Sequence, residues 1–306
     1  MGEYRSMDTN EITRAYMDSI LIEERLIGST LPTIQMDFLG ETFSGPVMTP
    51  AFSHLPAYNG REKNGLVEYS EAAKSSNIVN WCGMMENDTF SEILKTGART
   101  VRIIKPYADR AKVMDQIAFA QDNGAFAVGV DIDHIFGTGG YDVVAGEAMT
   151  AQSQEDIRGY VEATKLPFVV KGVLSVRDAV KCAEAGVKAI VVSHHHGILP
   201  FAVPPLMVLP EIKKALDGTG VTIVVDCGID RGVDVYKALA LGADAVSVGR
   251  AMLPSLEKQG SAGVDEYIRG MHQELVKVMG MTGAGDLREI DPSTLWIGGK
   301  TLMPVG

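Results

Sequence analysis

The sequence has few cysteines, no long apolar run and no excess of basic residues, and each shortage excludes a class of protein. Its three cysteines, Cys82, Cys182 and Cys227, are an odd number and lie far apart, which argues against a disulfide framework and a CxxC metal pair. No stretch approaches the roughly 20 apolar residues of a membrane span, and the first residues lack the basic and then apolar order of an export signal. We therefore expect a cytoplasmic protein that does not bind a membrane.

The balance of charge points to a small-molecule substrate. The chain has 28 basic and 39 acidic residues, a net charge of −11, which disfavours nucleic acid and anionic membrane surfaces as partners. With 306 residues, 46% of them hydrophobic, it can bury one large core. No linker rich in proline, glycine or serine divides it, so we predict one domain over residues 1–306, with an N-terminal helical extension (1–40) and a C-terminal tail (280–306).

Short apolar, β-branched runs alternate with segments of helical spacing. Eight such runs are predicted as strands: 46–50, 77–82, 100–105, 125–131, 168–172, 189–194, 222–227 and 245–250. The helices between the last four are clear. In 175–186, for example, Val176, Ala179, Val180 and Ala183 form an apolar stripe and Gly186 ends the helix. Nearly continuous apolar strands are typical of a parallel sheet. The pattern predicts an α/β protein with a (β/α)8 TIM barrel, and an open doubly wound sheet is the alternative.

Three segments outside this repeat carry their own predictions. Residues 9–27 are predicted as a helix outside or below the barrel, capped by Thr9 or Asn10 and ended by Gly28, with Ile12, Tyr16 and Ile20 on one face. The glycine-bearing connection 136–153 after strand four is interpreted as a mobile active-site loop. The tail is predicted to cover one end of the barrel.

Polar residues follow the last four strands, where barrel enzymes place their chemistry. Lys171 ends strand five, His194 to His196 follow strand six, Asp226 ends strand seven, and Gly249 with Arg250 ends strand eight. A single charge at a strand end could simply be solvated. Four together favour a site, and the last two loops have the glycine and arginine composition of a phosphate site.

The stretches "LPFVVKGVLSVRDAVKCAEAGVKAIVVSHHHG" and "VVDCGIDRGVDVYKALALGADAVSVGRAML" resemble the FMN-dependent α-hydroxy-acid oxidase and dehydrogenase family. The resemblance covers residues 166–253 closely and extends more loosely back toward residue 40. It implies a (β/α)8 barrel, FMN as cofactor and a homo-oligomer, with a tetramer as a common form in the family. The cofactor contacts that it implies are Pro50, Ala51, Arg102, Lys171, Ser193, His195, Gly197, Asp226, Gly228, Arg231, Gly249 and Arg250.

The resemblance also implies two catalytic residues. Lys171 matches the lysine beside flavin N1, where a cation favours the reduced ring. His195 takes the histidine position of the family signature Ser-Asn-His-Gly-Gly-Arg and would act as the base. Asp230 stands where the family has the first of two arginines, so we expect phosphate affinity to rest on Arg250 and backbone donors.

Two further departures concern the substrate. Ile198 replaces the arginine that binds the substrate carboxylate, and Phe201 replaces the aspartate that orients the histidine. Without the arginine a standard small 2-hydroxy acid is poorly accommodated, and the apolar residues favour a larger, less charged substrate. Arg102, Lys105 and His134 are candidate replacements, each with the alternative of a solvated strand-end charge. The substrate-binding residues predicted are Arg102, His134, Ile198 and Phe201.

The histidine triplet raises the alternative of a metal site. Consecutive side chains on an extended segment point to opposite sides, so only His194 and His196 could share an ion. We predict no metal and one functional histidine.

Three functions follow. The first is an FMN-dependent oxidoreductase that dehydrogenates a hydroxyl-bearing small molecule, with flavin N5 as hydride acceptor. The second is a flavin-assisted isomerase or eliminase without net redox change. The third is a catalytically quiet flavin-binding barrel.

Overall fold

Eight parallel strands form one curved sheet in the computed structural model, which describes residues 8–301. The strands are Val47–Met48 (β1), Asn80–Cys82 (β2), Thr100–Ile104 (β3), Ala127–Asp131 (β4), Phe168–Val173 (β5), Ala189–Val192 (β6), Thr222–Val225 (β7) and Ala245–Ser247 (β8). Neighbours in sequence pair in space, and β8 returns to pair with β1. The gap between β1 and β2 is bridged by a hydrogen bond from Thr49 N to Val79 O (3.2 Å). The predicted (β/α)8 barrel is confirmed, and the doubly wound alternative is wrong.

One helix precedes the eight strands, and the others follow them and cover the outside of the sheet. They are Thr9–Ser19 (α1), Gly65–Ser75 (α2), Asn87–Lys95 (α3), Arg110–Asp122 (α4), Gln154–Glu162 (α5), Val176–Glu184 (α6), Pro205–Ala215 (α7), Gly232–Ala240 (α8) and Leu253–Thr282 (α9). Ala179 and Cys182 are the buried residues of α6, so only Ala179 of its predicted apolar stripe is fully buried, while Val176 and Ala183 are half-buried against the core. None of the helices described is long and apolar enough to cross a bilayer.

The barrel interior is filled by alternate residues of its strands, as a parallel barrel requires. Val101 and Ile103 of β3, for example, belong to the inner apolar cluster, whereas Ile104 belongs to the outer one. The N-terminal end is closed by a hairpin of Met36–Phe38 and Glu41–Phe43, whose apolar side chains join the inner cluster. The tail contributes Leu287 to this end, so the main cover comes from the N-terminal segment.

Helix α1 differs from its prediction in bounds, cap and position. Asp8 caps it through a capping box with Glu11, and it ends at Ser19 because the chain then enters a short strand, Leu21–Ile22, that pairs with Leu295–Ile297 of the tail. Its buried face consists of Thr9, Thr13 and Met17. Of the predicted apolar face, Ile20 is buried just beyond the helix and Tyr16 is half-buried against the core. Thr9 and Thr13 are buried as well, because the helix packs on polar loops at the carboxyl end of the strands. The predicted position below the barrel is therefore wrong.

The remaining irregular segments are short hairpins and turns. The loop after β4 forms one hairpin of Phe136–Gly137 with Gly140–Tyr141 and another of Val143–Val144 with Glu147–Ala148. Its mobility stays a prediction. After α9 the tail makes two turns, Leu287–Glu289 and Pro292–Thr294, and ends in the strands Leu295–Ile297 and Lys300–Thr301. Residues 1–7 of the predicted extension and 302–306 of the predicted tail lie outside the described residues.

Candidate active site

A cavity of about 430 Å³ opens at the carboxyl end of the strands. The loops after β1, β5, β6, β7 and β8 line it, and α1 contributes Asn10, Glu11 and Arg14 to one wall. Of the predicted cofactor contacts it brings together eight: Pro50, Ala51, Lys171, His195, Asp226, Gly228, Gly249 and Arg250. The sequence did not point to the residues of α1 in this wall, since the register of that helix with the loops cannot be read from periodicity.

Lys171 provides a buried cation at this cavity. Its side chain is 9% exposed, and Nζ lies 3.7 Å from Asp226 Oδ2. Burial alone would favour the neutral amine, but the carboxylates of Asp226, Asp131 and Asp133 outweigh it and raise the pKa of Lys171 above its ordinary value. The ammonium is therefore a permanent charge, fixed in direction by strand β5.

His195 is held by two carboxylates from the end of β4. Its Nδ1 lies 2.7 Å from Asp133 Oδ1 and 3.4 Å from Asp131 Oδ2. The prediction that the base lacks an orienting carboxylate, because Phe201 replaces the aspartate, is wrong. Asp131 and Asp133 follow an apolar run at positions i and i+2, which place both side chains on one side of an extended segment. From that spacing in the sequence the pair of carboxylates could have been predicted.

The electrostatics of this cluster favour a charged imidazole. Burial lowers the pKa of His195, but the neighbouring carboxylates, Asp131 first, raise it to about 9. Lys171, His195 and Lys105 together hold the pKa of Asp131 well below its ordinary range despite its burial. Burial and the charge of Asp131 raise the pKa of Asp133 to about 6. Near neutral pH, His195 therefore carries a proton that it must give up before acting as a base.

Lys105 also reaches this cluster, from the end of β3. Its Nζ lies 2.8 Å from Asp131 Oδ2, and its side chain is 9% exposed. The alternative of a solvated strand-end charge is wrong for this residue. His134 lies nearby, with its ring centroid 5.4 Å from that of His195 and Nδ1 2.9 Å from Asp142 Oδ2.

Asp131, Asp133 and His195 offer donor atoms within 4.8 Å of one another, a spacing that a metal ion could use. Lys105 and His195 already neutralise these carboxylates. The prediction of no metal stays a prediction.

The structure does not bring Arg102 to the mouth. Its guanidinium points outward between α3 and α4, 4.5 Å from the ring centroid of Phe90, and donates hydrogen bonds to Asn87 and Gln116. Successive side chains of a strand point to opposite faces. Val101 and Ile103 point into the barrel, so Arg102 between them points outward. Arg102 is withdrawn as a flavin or substrate contact.

Three other predicted cofactor contacts also lie away from the cavity. Arg231 Nη2 is 2.5 Å from Glu274 Oε1 of α9, on the outer surface. Ser193 Oγ accepts a hydrogen bond from His195 N (3.0 Å) and so holds the loop. At Gly197 a Cβ atom would lie 3.1 Å from Thr9 Cβ, because this glycine faces α1. None of the three lines the cavity, so their positions do not support the predicted cofactor contacts.

The loop after β6 bends sharply. The φ angles of His195 and His196 are 47° and 57°, so the triplet is not extended as predicted, and its three rings point in different directions. Ile198 and Phe201 lie beyond this bend and are 40% and 67% exposed. Neither is among the residues that line the cavity, and their predicted contact with substrate stays a prediction.

Comparisons with known proteins agree with this geometry. The family model described as FMN-dependent dehydrogenase matches residues 2–143 and 137–297. The chain belongs to this family. Family membership confirms the resemblance predicted from the sequence, and FMN is the cofactor of the family.

Individual relatives are similar over different shares of the chain. An L-lactate oxidase of Nostoc sp. is 40% identical over 169 residues, 55% of this chain and 46% of the relative. A peroxisomal (S)-2-hydroxyacid oxidase of Arabidopsis thaliana is 28% identical and covers 92% of this chain and 86% of its own length. The matches to this L-lactate oxidase and to a glycolate oxidase 3 of Arabidopsis thaliana span less than half of the relative's own length. A mandelate oxidase structure with an FMN adduct superposes with a TM-score of 0.82 at 28% identity, covering 93% of this chain and 89% of that one.

The residues around the cavity fit a phosphorylated flavin. At Gly249 a Cβ atom would meet no atom within 4 Å, so the backbone borders open space there, and Arg250 adds a charge beside it. Gly228 has φ +81° and Met17 Sδ 2.9 Å from its Cβ position, a combination that favours glycine. Lys171 would lie against the ring and Arg250 against the phosphate. Arg14 steadies this end, since Nη1 donates to Gly228 O (3.0 Å).

Replacing Arg250 by alanine is expected to weaken FMN binding about 10- to 100-fold, because a charge-assisted hydrogen bond contributes roughly 1.5–3 kcal/mol. Riboflavin, which lacks the phosphate, should bind the variant and the wild type equally. Fluorescence titration of FMN-free protein measures both affinities. Arg231→Ala is the matched control, since its guanidinium pairs with Glu274, and FMN affinity should stay unchanged. Equal losses for FMN and riboflavin would contradict a phosphate contact.

Proposed function

We propose that the protein is an FMN-dependent oxidoreductase that dehydrogenates a hydroxyl-bearing small molecule, with His195 as the base. The observation that carries this is the position of His195 on the wall of the cavity that Lys171 also lines. Nδ1 is occupied by Asp133, which leaves Nε2 as the nitrogen that can face a substrate. When bound, FMN would supply a hydride acceptor at N5.

Residues of this chain would transfer the proton, orient the base and stabilise the developing charge. His195 takes the proton of the substrate hydroxyl at Nε2, and Asp133 and Asp131 stabilise the imidazolium that results. Lys171 supplies a fixed positive charge where negative charge develops during oxidation. Asp133 keeps the imidazole in one orientation through Nδ1, so that proton transfer needs no rearrangement of the ring.

The substrate class is proposed from the names of relatives and from three residues of this chain. Relatives are oxidases of lactate, glycolate, mandelate and other 2-hydroxy acids. Lys105 is a buried cation beside the base and supports the binding of an acidic group. Ile198 and Phe201 are exposed apolar side chains on the loop that carries His195. We therefore propose a 2-hydroxy acid with a larger apolar group than lactate, whose carboxylate is bound by Lys105 where the family uses arginine.

Anaerobic mixing of the FMN-loaded protein with glycolate, L-lactate, (S)-mandelate and L-3-phenyllactate tests the reaction. Loss of visible flavin absorbance with one or more of these acids is expected, fastest with the aromatic acids. A protein that turns over a substrate only after its flavin has been reduced chemically would favour the isomerase alternative. A protein that binds FMN and does neither would favour the catalytically quiet barrel.

Lys105→Met is expected to raise the substrate concentration for half-maximal flavin reduction about 10- to 100-fold for a 2-hydroxy acid. The methyl ester of the same acid should be affected little, because it carries no negative charge. Stopped-flow absorbance with mandelate and with methyl mandelate measures this concentration for the acid and for the ester. Should acid and ester lose equally, Lys105 would act only through Asp131 and not on the carboxylate.

A further inference from the structure

His194 lies between the loop after β6 and helix α1, and both of its ring nitrogens are used. Nδ1 accepts a hydrogen bond from Gly197 N (3.0 Å), and Nε2 lies 2.9 Å from Thr13 Oγ1. The N–H of Gly197 is shared between Nδ1 and the main-chain oxygen of His194 (3.0 Å). Because this N–H donates to Nδ1, that nitrogen carries no proton, and the neutral ring has its proton on Nε2. The ring therefore donates to the Thr13 hydroxyl in one defined tautomer.

The backbone that this ring holds is strained. His195 and His196 are both left-handed, a conformation that costs free energy in residues with a side chain. Such a bend persists when surrounding contacts over-determine it. Helix α1 supplies two further contacts, since Thr9 Oγ1 donates to Leu199 O (2.9 Å) and Asn10 Nδ2 donates to His196 O (3.3 Å).

The charges around His194 keep it in this state near neutral pH. Burial lowers its pKa, and Lys171 and His196 act in the same direction, while Asp226 opposes them. A protonated ring could not accept the Gly197 hydrogen bond at Nδ1. The neutral form is thus the one that supports both contacts.

We propose that His194 is a positioning residue for His195: its Nδ1 fixes the left-handed bend that carries the base, and its Nε2 fastens this bend to helix α1 through Thr13. The proposal rests on the proposed function of His195. The family signature has asparagine at this position, which has no counterpart of the ring nitrogen that meets Thr13 here. The link to α1 is a feature of this chain.

Three variants separate the two contacts. His194→Asn keeps an acceptor for Gly197 and loses the link to Thr13, Thr13→Val loses only that link, and His194→Gln keeps a group near Thr13 and loses the acceptor for Gly197. We expect each to slow flavin reduction by a bound 2-hydroxy acid about 10- to 100-fold, as small displacements of catalytic groups do. FMN affinity should stay within about twofold, because His194 does not line the cavity.

The shared link predicts non-additive effects. His194→Asn combined with Thr13→Val should be no slower than His194→Asn alone, since both remove the same hydrogen bond. Independent of activity, nitrogen-15 NMR of the imidazoles should show His194 as the Nε2–H tautomer in the wild type. In the variants the pKa of His195 should fall toward its ordinary value as the ring drifts from Asp133.

His272→Asn is the control for loss of a buried imidazole. This histidine lies in α9 beside Gly45, which precedes β1, and its replacement should change neither readout. The proposal is overturned if His194→Asn and Thr13→Val leave the titration of His195 and the reduction rate as in the wild type, or if their effects multiply in the double variant. If instead the wild type binds FMN but is reduced by no hydroxy acid, the proposed function fails, and the titration of His195 still decides the positioning role.

Discussion

Replacing His195 by alanine is expected to slow substrate-dependent flavin reduction about 10²- to 10⁴-fold, the usual contribution of a general base. Wild-type His195 takes the hydroxyl proton at Nε2 while Asp133 holds Nδ1 at 2.7 Å, and alanine leaves no group to do so. FMN binding should persist, because Lys171, Gly249 and Arg250 are unchanged. Stopped-flow absorbance under anaerobic conditions gives the rate, and fluorescence titration gives the FMN affinity.

The pH dependence of the same reaction tests whether His195 is the general base. Only neutral His195 can accept a proton, and its pKa is raised to about 9, so the wild-type rate should rise about tenfold per pH unit from neutrality and level off near pH 9. This rise should be absent in His195→Ala. A wild-type rate that falls with pH over this interval, or an alanine variant that is reduced as fast as the wild type, would show that another group is the base.

The barrel could be read from the sequence because its signal is repeated. Each buried parallel strand gives an apolar run, and eight of them with helices between leave few alternatives. The end of a strand is also visible as the first charged residue after the run, which placed Lys171 and Asp226 correctly on the cavity. An error of two residues in the boundary of a strand does not change the predicted barrel.

Side-chain direction was harder, because it changes with every residue. Arg102 and Lys105 stand three apart at the end of β3, and only the one in register with Ile103 enters the barrel. Arg102 donates to Asn87 and lies over the ring of Phe90 outside the barrel. The sequence shows two candidate cations there. The structure shows that Arg102 is buried outside the barrel and that Lys105 reaches the site.

The environment of the histidine triplet depends on contacts distant in sequence. Thr13 and His194 are 181 residues apart, and the left-handed bend at His195 follows from such contacts and not from local propensity. The carboxylates that hold His195 come from β4, 62 residues earlier in the case of Asp133. Their i and i+2 spacing after an apolar run could have suggested a pair, but not which histidine they meet.

Lys171→Met is expected to slow flavin reduction by roughly 10²- to 10³-fold, the loss found when one preorganised group that stabilises developing charge is removed. It should also lower stability by about 3–5 kcal/mol, because the carboxylate of Asp226 then lacks its cation in a buried site. Urea unfolding of the FMN-free protein measures the second effect without any contribution from cofactor binding.

The two effects of Lys171 can be separated by a second substitution. In Lys171→Met with Asp226→Asn, the unpaired charge is removed along with its partner, so much of the lost stability should return. The slow reduction should remain, because the amide restores no positive charge at the cavity. If the double variant recovered its rate together with its stability, Lys171 would serve to fold the site and would have no electrostatic part in the reaction.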